Sequence, residues 1–137
     1  GSLAGPFSGL RGKLRLPVRG ELVGLYGAPR EEGPAGKKGV FIRAREGQPV
    51  LAVAAGQVVY AEWMRGYGNL LIVDHGEAYL SIYANNESLL KQTGDPVAAG
   101  EIVATVGASG GNEQSGLYFE LRHLGKAFDP LRWVVLK

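Results

Sequence analysis

Short apolar or alternating runs, each closed off by glycine, recur along the whole chain. Gly39-Val40-Phe41-Ile42-Arg43-Ala44, Val50-Leu51-Ala52-Val53 and Gln57-Val58-Val59-Tyr60-Ala61-Glu62-Trp63 have the length and spacing of β-strands. So do Asn69 to Asp74, Ala78 to Tyr83, Glu101 to Val106 and Leu117 to Arg122. Two stretches break the pattern: residues 85–90 and 129–133 each predict one short helical turn. Gly47-Gln48-Pro49-Val50 and Gly94-Asp95-Pro96-Val97 each place a turn just before an apolar step. That echo predicts a mostly β chain folded over into a β-sandwich of hammerhead type, the barrel-sandwich hybrid. A solenoid would need more repeats.

Strand alternation sorts side chains onto faces. In the run from Leu117, the residues Leu117, Phe119 and Leu121 make a core face, leaving Tyr118, Glu120 and Arg122 opposite. Val40 and Ile42 likewise face a core, with Lys37, Gly39 and Phe41 on the other side. The same alternation sends Lys38 away from Phe41 unless a bulge intervenes. Phe41, Tyr118, Arg122 and the lysine pair then gather on one outer strip, where aromatic and basic groups together make binding anchors. Each has a plainer alternative. Phe41 and Tyr118 would only fill space, Arg122 would pair with a surface carboxylate, and Tyr67, between two glycines, would be an exposed turn residue.

Composition narrows the class. At 137 residues the chain suits one domain with its own core. Its 22 glycines favour tight turns over long helices. A net charge of +2 is too small and too mixed to indicate nucleic acid, and no apolar run reaches the length of a membrane span. Gly1-Ser2 reads as a remnant of tag removal, and Leu3 to Gly12 as a glycine-rich linker. The expected division is therefore residues 1–12 as remnant and linker, and 13–137 as the domain.

The chemistry-bearing residues are sparse. A catalytic zinc usually takes three ligands from His, Cys and carboxylates, plus an open position for water. This chain has no cysteine and two histidines, His75 and His123, neither in a paired metal-binding arrangement. His75 ends an apolar run and reads as a turn or strand-end residue; His123 reads as part of a solvent-facing turn.

Several phrases in order, Lys37 to Ile42, Gly47 to Val50, Ala54 to Val59, Gly66-Tyr67-Gly68-Asn69, Val73-Asp74-His75-Gly76, Ser81-Ile82-Tyr83, Gly94 to Gly100 and Gly116 to Arg122, resemble the LytM-type (lysostaphin-like) zinc endopeptidases. The resemblance implies cleavage of peptidoglycan cross-bridges in members that keep a His-x-Gly-x-Asp and a His-x-His motif. Carried over residue by residue, the metal ligands would fall at Lys37, Phe41 and Tyr118, and two further active-site histidines at Asn85 and Gly116. None of the five residues suits metal hydrolysis. The resemblance therefore implies a degenerate domain with no catalytic residues and no cofactor.

One branch is closer still. Ala61 to Asn69, Leu80 to Tyr83, Ser109-Gly110-Gly111, Leu117 to Arg122 and Asp129-Pro130 to Trp133 resemble the C-terminal domain of EnvC-type amidase activators. The likeness runs from Leu14 to Trp133 and departs at Lys37 and in the loop Gly27 to Gly36. It implies a periplasmic regulator that binds N-acetylmuramoyl-L-alanine amidases and switches them on during cell separation. Such amidases carry an inhibitory helical segment, which the vacated groove would capture. The groove residues implied are Lys38, Phe41, Tyr67, Leu70, Tyr118 and Arg122. Two alternatives stand beside this one: a peptidoglycan-binding domain stacking sugars on Tyr67 and Tyr118, and a residual zinc endopeptidase.

Overall fold

Twelve strands and two 3₁₀ turns make up residues 6–27 and 38–135, which the computed structural model describes. Lys37, the first carried-over ligand position, lies outside the described residues. In chain order the strands are β1 (Leu14–Arg15), β2 (Glu21–Gly24), β3 (Val40–Arg43), β4 (Pro49–Leu51), β5 (Gly56–Met64) and β6 (Gly68–Gly76). They continue as β7 (Tyr79–Leu89), β8 (Pro96–Val97), β9 (Ile102–Val106), β10 (Gly116–His123), β11 (Lys126–Phe128) and β12 (Val134–Val135). The main sheet is antiparallel, in the order β2-β3-β10-β7-β6-β5-β8. One edge of β7 is shared: Tyr79 to Ala84 pair with β10, and Asn86 to Leu89 pair with β9. Since β9 also pairs β4, the chain folds a second leaf over the first, which is the sandwich expected from the two echoing turns.

The core lies between these leaves. Val40, Ile42, Leu117, Phe119 and Leu121 are buried in it, as the alternation of β3 and β10 requires. Phe119 packs its ring 5.4 Å from Tyr83, and Val50, Ala52, Val103 and Val106 close the far side.

Two sequence expectations change here. Residues 85–90 were expected as a helical turn, but β7 runs on as far as Leu89, because Asn86, Ser88 and Leu89 gain ladder partners on β9. Long-range pairing overrides a weak local preference, and the strand absorbs the change of partner at Asn85, which sits at φ 67°. The segment expected as a linker also contributes to the core. A 3₁₀ turn at Phe7–Leu10 buries Phe7 and Leu10, and β1 pairs in parallel with β12, tying the two ends together. Glycine flanks hid two apolar anchors spaced for a single turn. The second helical turn appears at Pro130–Arg132, as expected, with Asp129 accepting a hydrogen bond from the Leu131 N–H at 3.0 Å.

His75 is a strand-end residue, but a largely buried one. Its Nδ1 lies 2.8 Å from the Ala55 carbonyl, so that nitrogen must donate. Nε2 lies 2.7 Å from the Ser81 hydroxyl, which is 2.9 Å from the Tyr83 hydroxyl, and that oxygen accepts the Val53 N–H at 3.0 Å. Phe7 stacks on the imidazole at 4.7 Å. The chain of bonds suits a neutral ring, and burial holds the His75 pKa below its ordinary 6.5 against weaker opposing pulls from the Ala55 carbonyl and Asp74. Burial likewise pushes the Tyr83 phenol up to about 12.

A stability consequence follows with a definite sign. Below pH 6.5 the unfolded chain takes up a proton on His75 before the folded chain does, so folding loses stability as pH falls through that window. Above it both states are neutral and the effect vanishes. Thermal melts from pH 7.5 to 5 should show the wild-type melting temperature sloping downward below 6.5, and His75→Gln should flatten that slope. Parallel curves would remove His75 as the cause.

Candidate functional site

On the sheet face turned away from the core, β3 and β10 pair Phe41 directly opposite Tyr118. Each ring leans across the ladder onto a glycine, Tyr118 onto Gly39 just before β3 and Phe41 onto Gly116 of β10. A Cβ on Gly39 would stand 2.9 Å from Tyr118 Cζ, 2.8 Å from Glu120 Cγ and 2.4 Å from the Phe119 carbonyl oxygen. A Cβ on Gly116 would stand 2.6 Å from Phe41 Cζ and 2.5 Å from the Ile42 carbonyl oxygen. Both positions require glycine because backbone and ring already occupy the space. The two carried-over positions Phe41 and Gly116 are therefore one packing unit: the phenyl ring lies where a side chain at 116 would be.

Glu120 organises the rest of β10. It is 1% exposed, yet it faces the outer strip with Tyr118 and Arg122. One carboxylate oxygen accepts the Tyr118 hydroxyl, and the other accepts Arg122 Nε at 2.7 Å. A buried carboxylate needs such partners, and removing the charged partner of a buried ion pair typically costs about 3–5 kcal/mol. Burial and then Glu120 itself raise the Tyr118 pKa, so its hydroxyl stays a donor. The hydrogen bond to Glu120 raises that of Arg122 against the opposing effect of burial. Arg122 thus pairs with a buried acid, not with the surface carboxylate of the plainer alternative. The alternation of β10 already placed Glu120 on this strip; what the sequence did not reveal was that it is buried there and ties its two neighbours in place.

The opposite wall is Tyr67, in the turn between β5 and β6. Its ring centroid lies 6.2 Å from that of Tyr118. Expected to be exposed, it is instead half-buried, because three separate sequence phrases lock around it. Asn85 donates its amide to the carbonyls of Tyr67 at 3.2 Å and Ser109 at 3.0 Å, and its backbone N–H also reaches Tyr67 O at 2.7 Å. The Ser109 hydroxyl accepts the Asn69 N–H at 3.0 Å and donates to the Asn86 carbonyl at 2.6 Å. Side-chain bonds to backbone groups of three segments fix the turn, so Tyr67 is held before any ligand arrives.

Beneath these rings lies a second, smaller apolar cluster. Leu70, Ile82 and Ala84 are buried there, with Tyr60, Tyr67, Ile72 and Tyr118 packed against them. Leu70, expected to line the groove as an anchor, is 2% exposed and forms its floor. Packed in one cluster with Tyr67 and Tyr118, it supports the rings without presenting itself. Tyr60, Ile72 and Ile82 were not anticipated. The registers align Tyr60 with Ile72, Ile72 with Ile82, and Ile82 with Glu120, a row that no single strand reveals.

Lys38 ends up on the Arg122 side. It falls in the bend before β3, where strand alternation does not apply. Exposed there, it lines with Arg122, Tyr26 and Lys126 an open basin of about 450 Å³ at the end of the groove. Of the six expected residues, the structure brings five onto one surface, with Leu70 directly below. His123, expected in a solvent-facing turn, is the last residue of β10 and stacks on Tyr79 at 3.9 Å. It points to the other face and does not join the groove.

A zinc ion does not fit this donor set. Phe41 has no donor atom, Tyr118 is committed to Glu120, and both Glu120 oxygens are taken by a phenol and a guanidinium. Among the described residues, no three His, Cys, Asp or Glu side chains come together in a way that would hold a metal. What the surface offers is three aromatic rings, Phe41, Tyr67 and Tyr118, over an apolar floor, with two cations at one end.

The profile of Peptidase family M23 matches residues 35–130. Over 133 residues the chain is 41% identical to the murein hydrolase activator EnvC of Escherichia coli K12, covering 97% of this chain and 32% of that protein. It is 42% identical over 121 residues to the murein hydrolase activator NlpD of the same organism, covering 88% of this chain and 31% of that one. The chain thus spans about a third of the length of these relatives. In fold it superposes on a zinc-containing peptidase from Vibrio cholerae with a TM-score of 0.79 at 21% identity, over 87% of this chain and 39% of that one. The catalytic domain of lysostaphin from Staphylococcus simulans superposes with a TM-score of 0.72 at 25% identity, over 80% of this chain and 86% of that one.

Proposed function

The chain belongs to peptidase family M23, and from that premise we propose that it is a non-catalytic member that activates a periplasmic N-acetylmuramoyl-L-alanine amidase for septal peptidoglycan splitting in cell division. The observation that carries this is the finish of the groove. Where a peptidase needs metal donors, this surface presents Phe41, Tyr118 and Tyr67 as rigid rings, with Arg122 fixed by Glu120 and Lys38 beside it. Rigid aromatics and arginine are the residue types that dominate protein–protein hot spots. The two relatives named as murein hydrolase activators support the same reading.

The mechanism is capture. An amidase held closed by its own inhibitory helical segment opens when that segment is bound elsewhere. The groove needs only to bind the open state more tightly than the closed one. An amphipathic helix would lay its apolar side over Phe41, Tyr67 and Tyr118 and direct acidic or carbonyl groups toward Arg122 and Lys38. Because the rings are already fixed, little ordering cost opposes binding. Leu70 acts from beneath, by keeping both tyrosines in place.

The test is dye release from labelled peptidoglycan by a purified periplasmic amidase, with and without this chain, beside the chain alone. Release is expected only when both proteins are present. Release by the chain alone would make it a hydrolase. No stimulation of an amidase from the same organism would remove the activator role.

A further inference from the structure

On the face of β10 opposite the groove, the sheet ends in a cleft that meets the groove's basin at Tyr26, Lys126 and Ala127. Its floor is aromatic: Tyr79, Phe128 and Trp133 lie with ring centroids 5.2–6.3 Å apart, and His123 stacks on Tyr79. The register brings Lys126 opposite His123 and Phe128 opposite Leu121, so β11 adds its lysine and phenylalanine to this same face. The cleft measures about 620 Å³ and is also lined by Arg11, Lys126 and Arg132, a size typical of small-ligand sites.

Among the described residues the charge here is one-sided. Three cations line the cleft against a single carboxylate, Asp129, one of whose oxygens caps the Leu131 N–H at 3.0 Å. The ion pairs among the described residues are Arg43 with Glu21, Lys91 with Glu101 and Arg122 with Glu120, and none involves these three. Cations left to solvent around a concave aromatic floor match a ligand that carries carboxylates on a flat body with C–H faces. A sugar polymer with acidic substituents has both. A phospholipid bilayer is a poorer match, because a concave site cannot lie flat on a surface of headgroups.

We propose that this cleft is a second binding site, for murein, whose sugar chain carries carboxylates on its peptide substituents, and that it would moor the domain on the wall while the groove remains open to a protein partner. The choice of murein among carboxylated glycans rests on the activator reading; the chemistry of the cleft does not. Arg11 and Arg132 are both exposed and belong to the cleft without touching the groove.

The experiment is co-sedimentation of the purified chain with amidase-free murein sacculi, and with sacculi whose carboxylates have been amidated. The wild-type chain should sediment with native sacculi, more weakly as salt rises. Amidation of the sacculi, or the double substitution Arg11→Glu/Arg132→Glu, should weaken sedimentation about tenfold, as expected for reversing two exposed charges. Tyr118→Ala should sediment like wild type, and the double variant should keep wild-type stimulation of an amidase on soluble substrate. That last pair separates the two sites, so failure of one reading leaves the other standing. Absence of wild-type sedimentation would overturn the proposal, as would equal sedimentation of the double variant. So would binding to phosphatidylglycerol vesicles but not to sacculi.

Discussion

Tyr118→Ala is expected to reduce affinity for the proposed amidase partner at least about thirtyfold, the scale of a hot-spot residue worth 2 kcal/mol or more, and with it to abolish stimulated dye release. The ring is half-buried on the outer strip, within reach of Tyr67 and directly opposite Phe41, so its removal opens the centre of the proposed contact. The variant should still fold, because Tyr118 packs against the small cluster of Leu70, Ile82 and Ala84 and lies outside the main core. Tyr118→Phe keeps the ring but leaves one Glu120 oxygen without its donor. Its expected phenotype is a modest loss of stability with most of the affinity retained. Titration of binding alongside thermal melts of both variants separates the outcomes. An unfolded Tyr118→Ala, with Tyr118→Phe at wild-type affinity and stability, would mean that the ring only fills space.

Gly116→His puts back the residue type that hydrolytic relatives are expected to carry, and it should destabilise this chain by about 3 kcal/mol, the upper range for overpacking. The first side-chain carbon alone would meet the Ile42 carbonyl at 2.5 Å and the Phe41 ring at 2.6 Å. The melting temperature should fall by about 10 °C. Combining the change with Phe41→Ala should recover only part of that loss, since the ring clash is relieved and the backbone clash is not. A Gly116→His chain that melts like wild type would show that the two strands separate easily here, and would undo the account of Phe41 and Gly116 as one packing unit.

These two positions also indicate what sequence patterning conveys. Alternation alone placed Leu117, Phe119 and Leu121 in the core and Tyr118 and Arg122 outside, and the structure agrees at every one of them. It failed where a neighbour from elsewhere in the chain decided the outcome. Asn86 to Leu89 became strand because β9 supplied a ladder, and Phe7 and Leu10 entered the core because the sheet end was open to them. His75 looked like an ordinary strand-end residue, yet Phe7, Ala55 and Ser81 converge on it from three separate segments.

The sequence by itself determined the strand-rich class and the core face of each central strand. Both depend on residue type and on a period of two. The tertiary structure alone decided that Glu120 is buried and joins Tyr118 to Arg122, that Leu70 is floor, and that Lys38 sits beside Arg122. It also decided that a basic aromatic cleft closes the other face. The physical reason is that faces are set within a strand, whereas burial, charge pairing and concavity are set by register and packing between strands distant in sequence.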